Sequence, residues 1–221
     1  MLMMSCVRRS SGTHGQPTAM QGYEYSHDGQ DSWCYPGTFV LQNKQGIRDP
    51  EALLLAEREI TSLKLLMLRT KPLRGQYGFP HLRAIHRFIF GDIYDWAGSI
   101  RRGEFLAKGA SIFCLGRHIP KNAERIFSAL AKENKLRNLS RETFIHRLAH
   151  YMSEVNALHP FREGNGRAAR EYFRQLSKSA GYDLDFGETT AGELLAADIT
   201  AFHGDNVSLV TILEKAVAKK G

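Results

Sequence analysis

The chain has 221 residues, 43% of them hydrophobic and 24% charged, with a formal net charge of +7. This is the composition of a soluble globular domain large enough to bury a core without metals or disulfides. It argues against a membrane span, for which no apolar run of about 18 residues exists, and against a disulfide or zinc scaffold, since the three cysteines (Cys6, Cys34, Cys114) are far apart and fit a reducing cytosol. The basic residues are dispersed, which fits solvated helix faces better than a nucleic-acid surface.

Residues 1–32 are rich in Ser, Gly, Gln and His and read as a flexible tail. Met1 to Arg9 do not read as a secretory signal, because Arg8 and Arg9 follow a short apolar stub instead of preceding a long one. Residues 33–221 read as one domain. Asp49-Pro50-Glu51 is a helix start, with Asp as cap, Pro in the first turn and Glu suited to the dipole. Leu53, Ala56, Ile60, Leu63 and Met67 follow at helical spacing to about Arg69. A second helix is expected over Phe79 to Tyr94, with Leu82, Ile85 and Ile89 on one stripe. Ile100 to Leu115 breaks the helical period and reads as a β-hairpin turning near Lys108-Gly109.

Helix returns from Pro120 to Asn134. Another is capped by Ser140 and carries Phe144, Leu148, Met152 and Val155 on one face. Gly164 or Asn165 opens the next, which Gly181 ends. Two more, Thr190 to Phe202 and Val207 to Lys219, close a mainly α chain with one hairpin.

One stretch carries chemistry: His159-Pro160-Phe161-Arg162-Glu163-Gly164-Asn165-Gly166-Arg167, followed by Arg170. Gly164 and Gly166 can adopt positive φ and leave no Cβ in the way, so successive backbone N–H groups can form an anion-binding nest at a helix N-terminus. Asn165 between them offers a side-chain donor. Arg167 and Arg170 share a helix face and suit the phosphates of a nucleotide. Glu163 beside phosphates is repulsive unless a cation such as Mg²⁺ lies between. His159 is a competent general base near neutrality, on a loop stiffened by Pro160 and anchored by Phe161.

Together these residues resemble the Fic family signature, His-x-Phe-x-(Asp/Glu)-Gly-Asn-Gly-Arg-x-x-Arg. His159, Phe161, Glu163, Gly164, Asn165, Gly166, Arg167 and Arg170 fill every fixed position. The resemblance runs from about Tyr35-Pro36-Gly37 to the C-terminus and includes Asp95-Trp96-Ala97-Gly98. It implies a helical bundle with a β-hairpin flap beside the active-site loop, and transfer of AMP from ATP to a Tyr, Ser or Thr hydroxyl of a target protein. By the same resemblance His159 deprotonates the hydroxyl and Glu163 holds Mg²⁺. Gly164, Asn165 and Gly166 cradle phosphates, while Arg167 and Arg170 contact the β- and γ-phosphates. Lys108, Gly109, Ser111, Ile112 and Phe113 look like the flap that pairs with the target.

Many Fic proteins are held off by a helix bearing (Ser/Thr)-x-x-x-Glu-(Gly/Asn). The nearest match here, Glu133-Asn134, has Ala129 where the hydroxyl residue belongs. The chain therefore resembles short bacterial Fic toxins whose inhibitor is a separate antitoxin, with a Glu directed at Arg170. Some such toxins act on subunits of DNA gyrase and topoisomerase IV, which is the expected target class. Two alternatives stay open: phosphotransfer as in the Doc branch, whose signature has Lys where Gly166 stands, and a silent binding module. His146 and His150 have a zinc-like spacing, but Arg147 replaces the glutamate that a metalloprotease helix needs.

Overall fold

The computed structural model describes residues 25–27, 33–102, 106–108 and 111–219. Helices α1 (Pro50–Thr70), α2 (Phe79–Phe90), α3 (Ile119–Lys132), α4 (Arg141–Leu158), α5 (Asn165–Ala180), α6 (Ala191–Phe202) and α7 (Val207–Ala216) form a bundle. Its centre is the antiparallel pair α4–α5, joined by the signature loop, with α2, α3 and α7 packed around it. Phe144, Leu148, Met152 and Val155 of α4 are all buried, as the spacing predicts, and face Tyr172, Phe173 and Leu176 in one continuous core. The expected mainly α architecture with a hairpin beside the loop is what the chain adopts. No helix among the described residues is long and apolar enough to cross a membrane.

The hairpin is β2 (Leu106–Lys108) with β3 (Ser111–Ile112), paired Ala107 to Ile112 and Lys108 to Ser111. The expected tail lies outside the described residues except for β1 (Tyr25–His27), which adds antiparallel to β2 and makes the order β1-β2-β3. A second small sheet pairs β4 (Tyr182–Leu184) with β5 (Val217–Lys219). That sheet corrects the expectation of helix up to Lys219. Arg141 donates to the carbonyl oxygens of Glu214 and Val217, which ends α7 and leaves Val217 to Lys219 to pair with β4. The second helix likewise stops at Phe90 rather than Tyr94, where Gly91 caps it.

A larger correction concerns α1. The expected stripe fails at Leu63 and Met67, which are 64% and 51% exposed, while the inward face is Leu53, Glu57, Thr61 and Leu68. Two polar residues take core-facing positions because they bind a side chain of α5, described below. Apolar periodicity therefore finds Leu53 on the buried face and Ile60 against the core but misplaces Leu63 and Met67.

Helix α6 is set by a capping box, in which Thr190 and Glu193 each accept from or donate to the other's backbone or side chain. Its buried face is Leu194, Ala197 and Ala201. Thr190→Ala should cost about 1 kcal/mol, lowering the melting temperature by ~2–4 °C; thermal unfolding followed by circular dichroism reads this directly.

Candidate active site

The loop after α4 is shaped before any ligand is considered. His159 caps α4 in the left-handed region (φ 43°) and donates its N–H to Val155. Arg101 donates from Nε to the His159 carbonyl (2.7 Å), from its backbone N–H to the Pro160 carbonyl (2.9 Å), and from its guanidinium to the Cys114 carbonyl. This ties the loop to the segments that lead into and out of the flap. The His159 ring stacks on Phe113 with centroids 3.7 Å apart, and its Nδ1 lies 3.3 Å from the Asn156 carbonyl oxygen. With Nδ1–H donated there, Nε2 carries the lone pair, which is the tautomer a base needs.

Phe161 plugs the loop into the core against His86 at 3.9 Å, and His86 stacks in turn on Phe90. His86 accepts from the Gly98 N–H at Nδ1, so Nε2–H donates to the Glu163 carbonyl at 2.9 Å. Burial pulls the imidazole down to about 4, so it is neutral at pH 7. The Asp95–Gly98 turn thereby fixes the tautomer that holds the signature loop.

Asn165 corrects one expectation. Its Oδ1 accepts from the Phe161 N–H (2.9 Å) and its Nδ2 donates to the Phe161 carbonyl (2.8 Å). The buried amide closes the loop on itself, so what Asn165 can offer a phosphate is its backbone N–H. The glycines also divide their work. Gly164 alone has positive φ (77°), and a Cβ there would lie 2.2 Å from Phe90. Gly166 is helical, but a Cβ on it would come within 3.1 Å of the Arg170 Nη1. Its bare Cα makes room for that guanidinium over the first turn. The α5 N-terminus has no side-chain cap, like α2, α3 and α7 and unlike α1, α4 and α6, which Asp49, Ser140 and Thr190 cap. Its first-turn residues Asn165, Gly166 and Arg167 border the cavity described below.

The two signature arginines are held differently. Arg167 pairs with Glu57 of α1 at 2.6 Å, donates to Thr61 at 3.2 Å and lies over the Phe90 ring at 4.7 Å. Tyr94 donates to the other Glu57 oxygen at 2.5 Å, and burial and Glu57 push its phenol far up, keeping it a donor. Glu171, the salt-bridge partner that spacing offers Arg167, instead takes both oxygens to Arg174 and one to Gln175. Arg170 is half-buried at the cavity wall with Asp198 of α6 as its acidic neighbour. Burial pushes the Asp198 carboxyl up to about 6, and Arg170 offsets this only in part.

These groups border one cavity of about 480 Å³. His159, Glu163, Gly164, Asn165, Gly166, Arg167 and Arg170 form one wall, with Ser111 and Phe113 of the flap beside them. The opposite wall is a stripe of α6, Leu194, Leu195, Asp198, Ile199 and Phe202, at intervals that place it on one helix face. Of the other expected flap residues, Ile112 is half-buried and does not border the cavity, Lys108 ends β2, and Gly109 lies outside the described residues. Sequence reasoning missed Glu57, Thr61, Tyr94 and Asp198. The α6 stripe, an apolar face interrupted by one carboxylate, was the available signal for the last. Glu133, the nearest inhibitor-like residue, is held by Arg147 and Tyr151.

Glu163 is the residue that fits a divalent cation. It borders the cavity, is about a quarter exposed, and uses Oε1 to accept its neighbour's N–H at 2.8 Å. No group of three or more His, Cys, Asp or Glu is gathered for a metal among the described residues. A single carboxylate suits Mg²⁺ that phosphates and waters complete.

Two stability tests follow. Gly164→Ala meets both a left-handed backbone and Phe90, so it should lose more than ~2 kcal/mol and all nucleotide binding. Gly166→Ala, in the first turn of α5, should change stability by less than ~1 kcal/mol yet bind nucleotide more weakly, because its Cβ displaces the Arg170 guanidinium. Melting and calorimetry on the pair separate the two roles. For Asp198 the folded pKa is raised, so its favourable contribution is present below about 3.8 and lost as pH rises through about 6. Asp198→Asn should melt above the unsubstituted protein at pH 7.5, and the gap should close toward pH 4.

Comparison with known proteins agrees with this geometry. Residues 78–176 match the family model described as Fic/DOC family. The chain is 38% identical over 192 residues to a probable protein adenylyltransferase Fic of Salmonella typhimurium, covering 87% of this chain and 94% of that protein. A protein of the same description from Escherichia coli is 37% identical, with 88% and 96% covered. The crystal structure of BepC from Bartonella tribocorum, with bound AMPPNP, superposes with a TM-score of 0.81 at 27% identity, covering 86% of this chain and 97% of that one. The chain belongs to the Fic/DOC family.

Proposed function

We propose that this protein transfers AMP from ATP to a hydroxyl side chain of another protein. One observation carries the reading: an uncapped helix N-terminus, left open by Gly164, borders the same cavity as a histidine whose Nδ1 is tied to a carbonyl. The Salmonella and Escherichia coli relatives described as probable adenylyltransferases support it.

The phosphates lie against the backbone N–H groups of Asn165 and Gly166, where the converging donors and the helix dipole favour negative charge. Arg167 and Arg170 face the β- and γ-phosphates. Glu163 would hold Mg²⁺, whose charge offsets the repulsion between that carboxylate and the phosphates. His159 takes the hydroxyl proton at Nε2 as the target oxygen bonds to the α-phosphorus. The bond from that phosphorus to the bridging oxygen breaks, and pyrophosphate leaves. The protonated imidazole is steadied by its Nδ1 contact to the Asn156 carbonyl and by its stacking on Phe113.

Target docking follows from strand register. Phe113 donates its N–H to Leu106, so the neighbouring Ile112 N–H and carbonyl point to the other edge of β3. With β1 covering the other edge of the hairpin, the hairpin's own free edge is the one on β3, and a target strand can add there. The target adds there, along Ser111 to Phe113, and its hydroxyl reaches His159 over Phe113. In this reading residues 33–221 form the Fic domain, and the protein works in the cytosol. It is the toxin of a toxin–antitoxin pair, a small antitoxin directs a Glu at Arg170, and type II topoisomerase ATPase subunits are the target class.

Incubation with a cell lysate and ATP labelled at the α-phosphate tests the activity. Labelled target bands should appear, and His159→Ala should reduce labelling by about 10²–10⁴-fold. A mass increment of phosphate instead of AMP, or full labelling by His159→Ala, overturns the reading.

A further inference from the structure

Asp198 has no part in the chemistry above, yet it borders both the nucleotide cavity and the small pocket beneath it, and Arg170 borders both as well. We propose that Asp198 is a specificity-determining residue: its carboxylate competes with the terminal phosphate of ATP for Arg170, and so narrows the preference for triphosphate over diphosphate. This rests on the proposed nucleotide reading, in which Arg170 takes the terminal phosphate.

Three observations carry it. First, neither side chain has another polar partner among the described residues; each feels the other's charge from beyond ion-pair contact. Arg167 already has its own acid in Glu57 and repels Arg170, so Asp198 is the group that balances the second arginine. Second, Asp198 cannot swing away with its helix. Asn156 donates to the Asp198 carbonyl at 3.3 Å, Ser153 donates to the Ala201 carbonyl at 2.9 Å, and Leu194 and Ala197 are buried. Third, Gly166 keeps the Arg170 guanidinium over the first turn of α5, where it can face α6 or an anion at the helix end.

The consequence is electrostatic. A fixed negative charge near a guanidinium reduces the potential that an incoming phosphate meets. A terminal phosphate therefore meets an Arg170 guanidinium whose charge Asp198 already partly offsets. A diphosphate, which ends short of Arg170, is little affected. The effect is one of differential affinity, read as a ratio.

Calorimetric titration with AMPPNP and with ADP, both with Mg²⁺, tests the proposal without turnover. Asp198→Asn should bind AMPPNP on the order of ten-fold more tightly and ADP less than about two-fold more tightly. In an Arg170→Ala background the same substitution should change neither, because the competition has lost its object. Asp198→Ser serves as a second neutral variant should the first fail to fold. If AMPPNP binds equally or more weakly, or if both nucleotides shift alike, Asp198 has no such role although the nucleotide reading stands. If the unsubstituted protein binds neither nucleotide, the nucleotide reading itself fails, and this inference with it.

Discussion

The site depends on a loop of five residues, Phe161 to Asn165, closed by one side chain. The Asn165 amide grips both backbone groups of Phe161, and this pair of hydrogen bonds lets α4 end and α5 begin without losing register. Because the amide is buried, leaving either group unpaired would cost roughly 1–3 kcal/mol. His159 just before the loop and the open N–H groups at its end are thereby fixed relative to each other. Gly164 completes the turn by passing so close to Phe90 that any side chain would be refused. In the proposed reading, base and anion cradle are thereby one unit, which is what in-line transfer to phosphorus requires.

That unit is supported from behind by residues that have no catalytic chemistry of their own. His86 is pinned as a neutral tautomer by Gly98 and passes one hydrogen bond to the Glu163 carbonyl. The stack Phe161–His86–Phe90 continues the core directly under the loop. A loop set on packed aromatics has few alternative conformations, so the carboxylate of Glu163 is held at the cavity edge without being buried. The fold makes this possible by placing α2 beneath the junction of α4 and α5.

The α4 face, the capped start of α1, the Gly181 stop and the signature were all legible in the sequence, because each rests on local spacing or local capping chemistry. What escaped is non-local. Glu57 and Thr61 occupy the inward face of α1 because Arg167, more than a hundred positions away, needs partners there. A periodicity argument counts apolar residues and so places Leu63 and Met67 inside, where the structure leaves them in solvent. The β4–β5 pair was hidden for a related reason: Val217 to Lys219 extends a helical pattern until Arg141 caps it. Asn165 was read as a phosphate donor because its residue type allows it. Its burial is a property of the folded loop.

Electrostatics gives the site its remaining logic. Two guanidinium groups three residues apart, both partly withdrawn from water, would destabilise the first turn of α5, where the helix dipole is also positive. Each is matched by an acid from a different helix, Glu57 from α1 for Arg167 and Asp198 from α6 for Arg170. The two matches differ in kind. Arg167 is in direct contact, shared with Thr61 and backed by the Tyr94 hydroxyl, and so is a fixed element of the wall. Arg170 has no direct ion pair with its acid among the described residues, and both line the cavity. A guanidinium without a direct partner is the freer of the two to reorient toward an anion. Of the two arginines Arg170 is the one whose allegiance can change when an anion arrives, and an inhibitory carboxylate aimed at this site would find its charge partner there for the same reason.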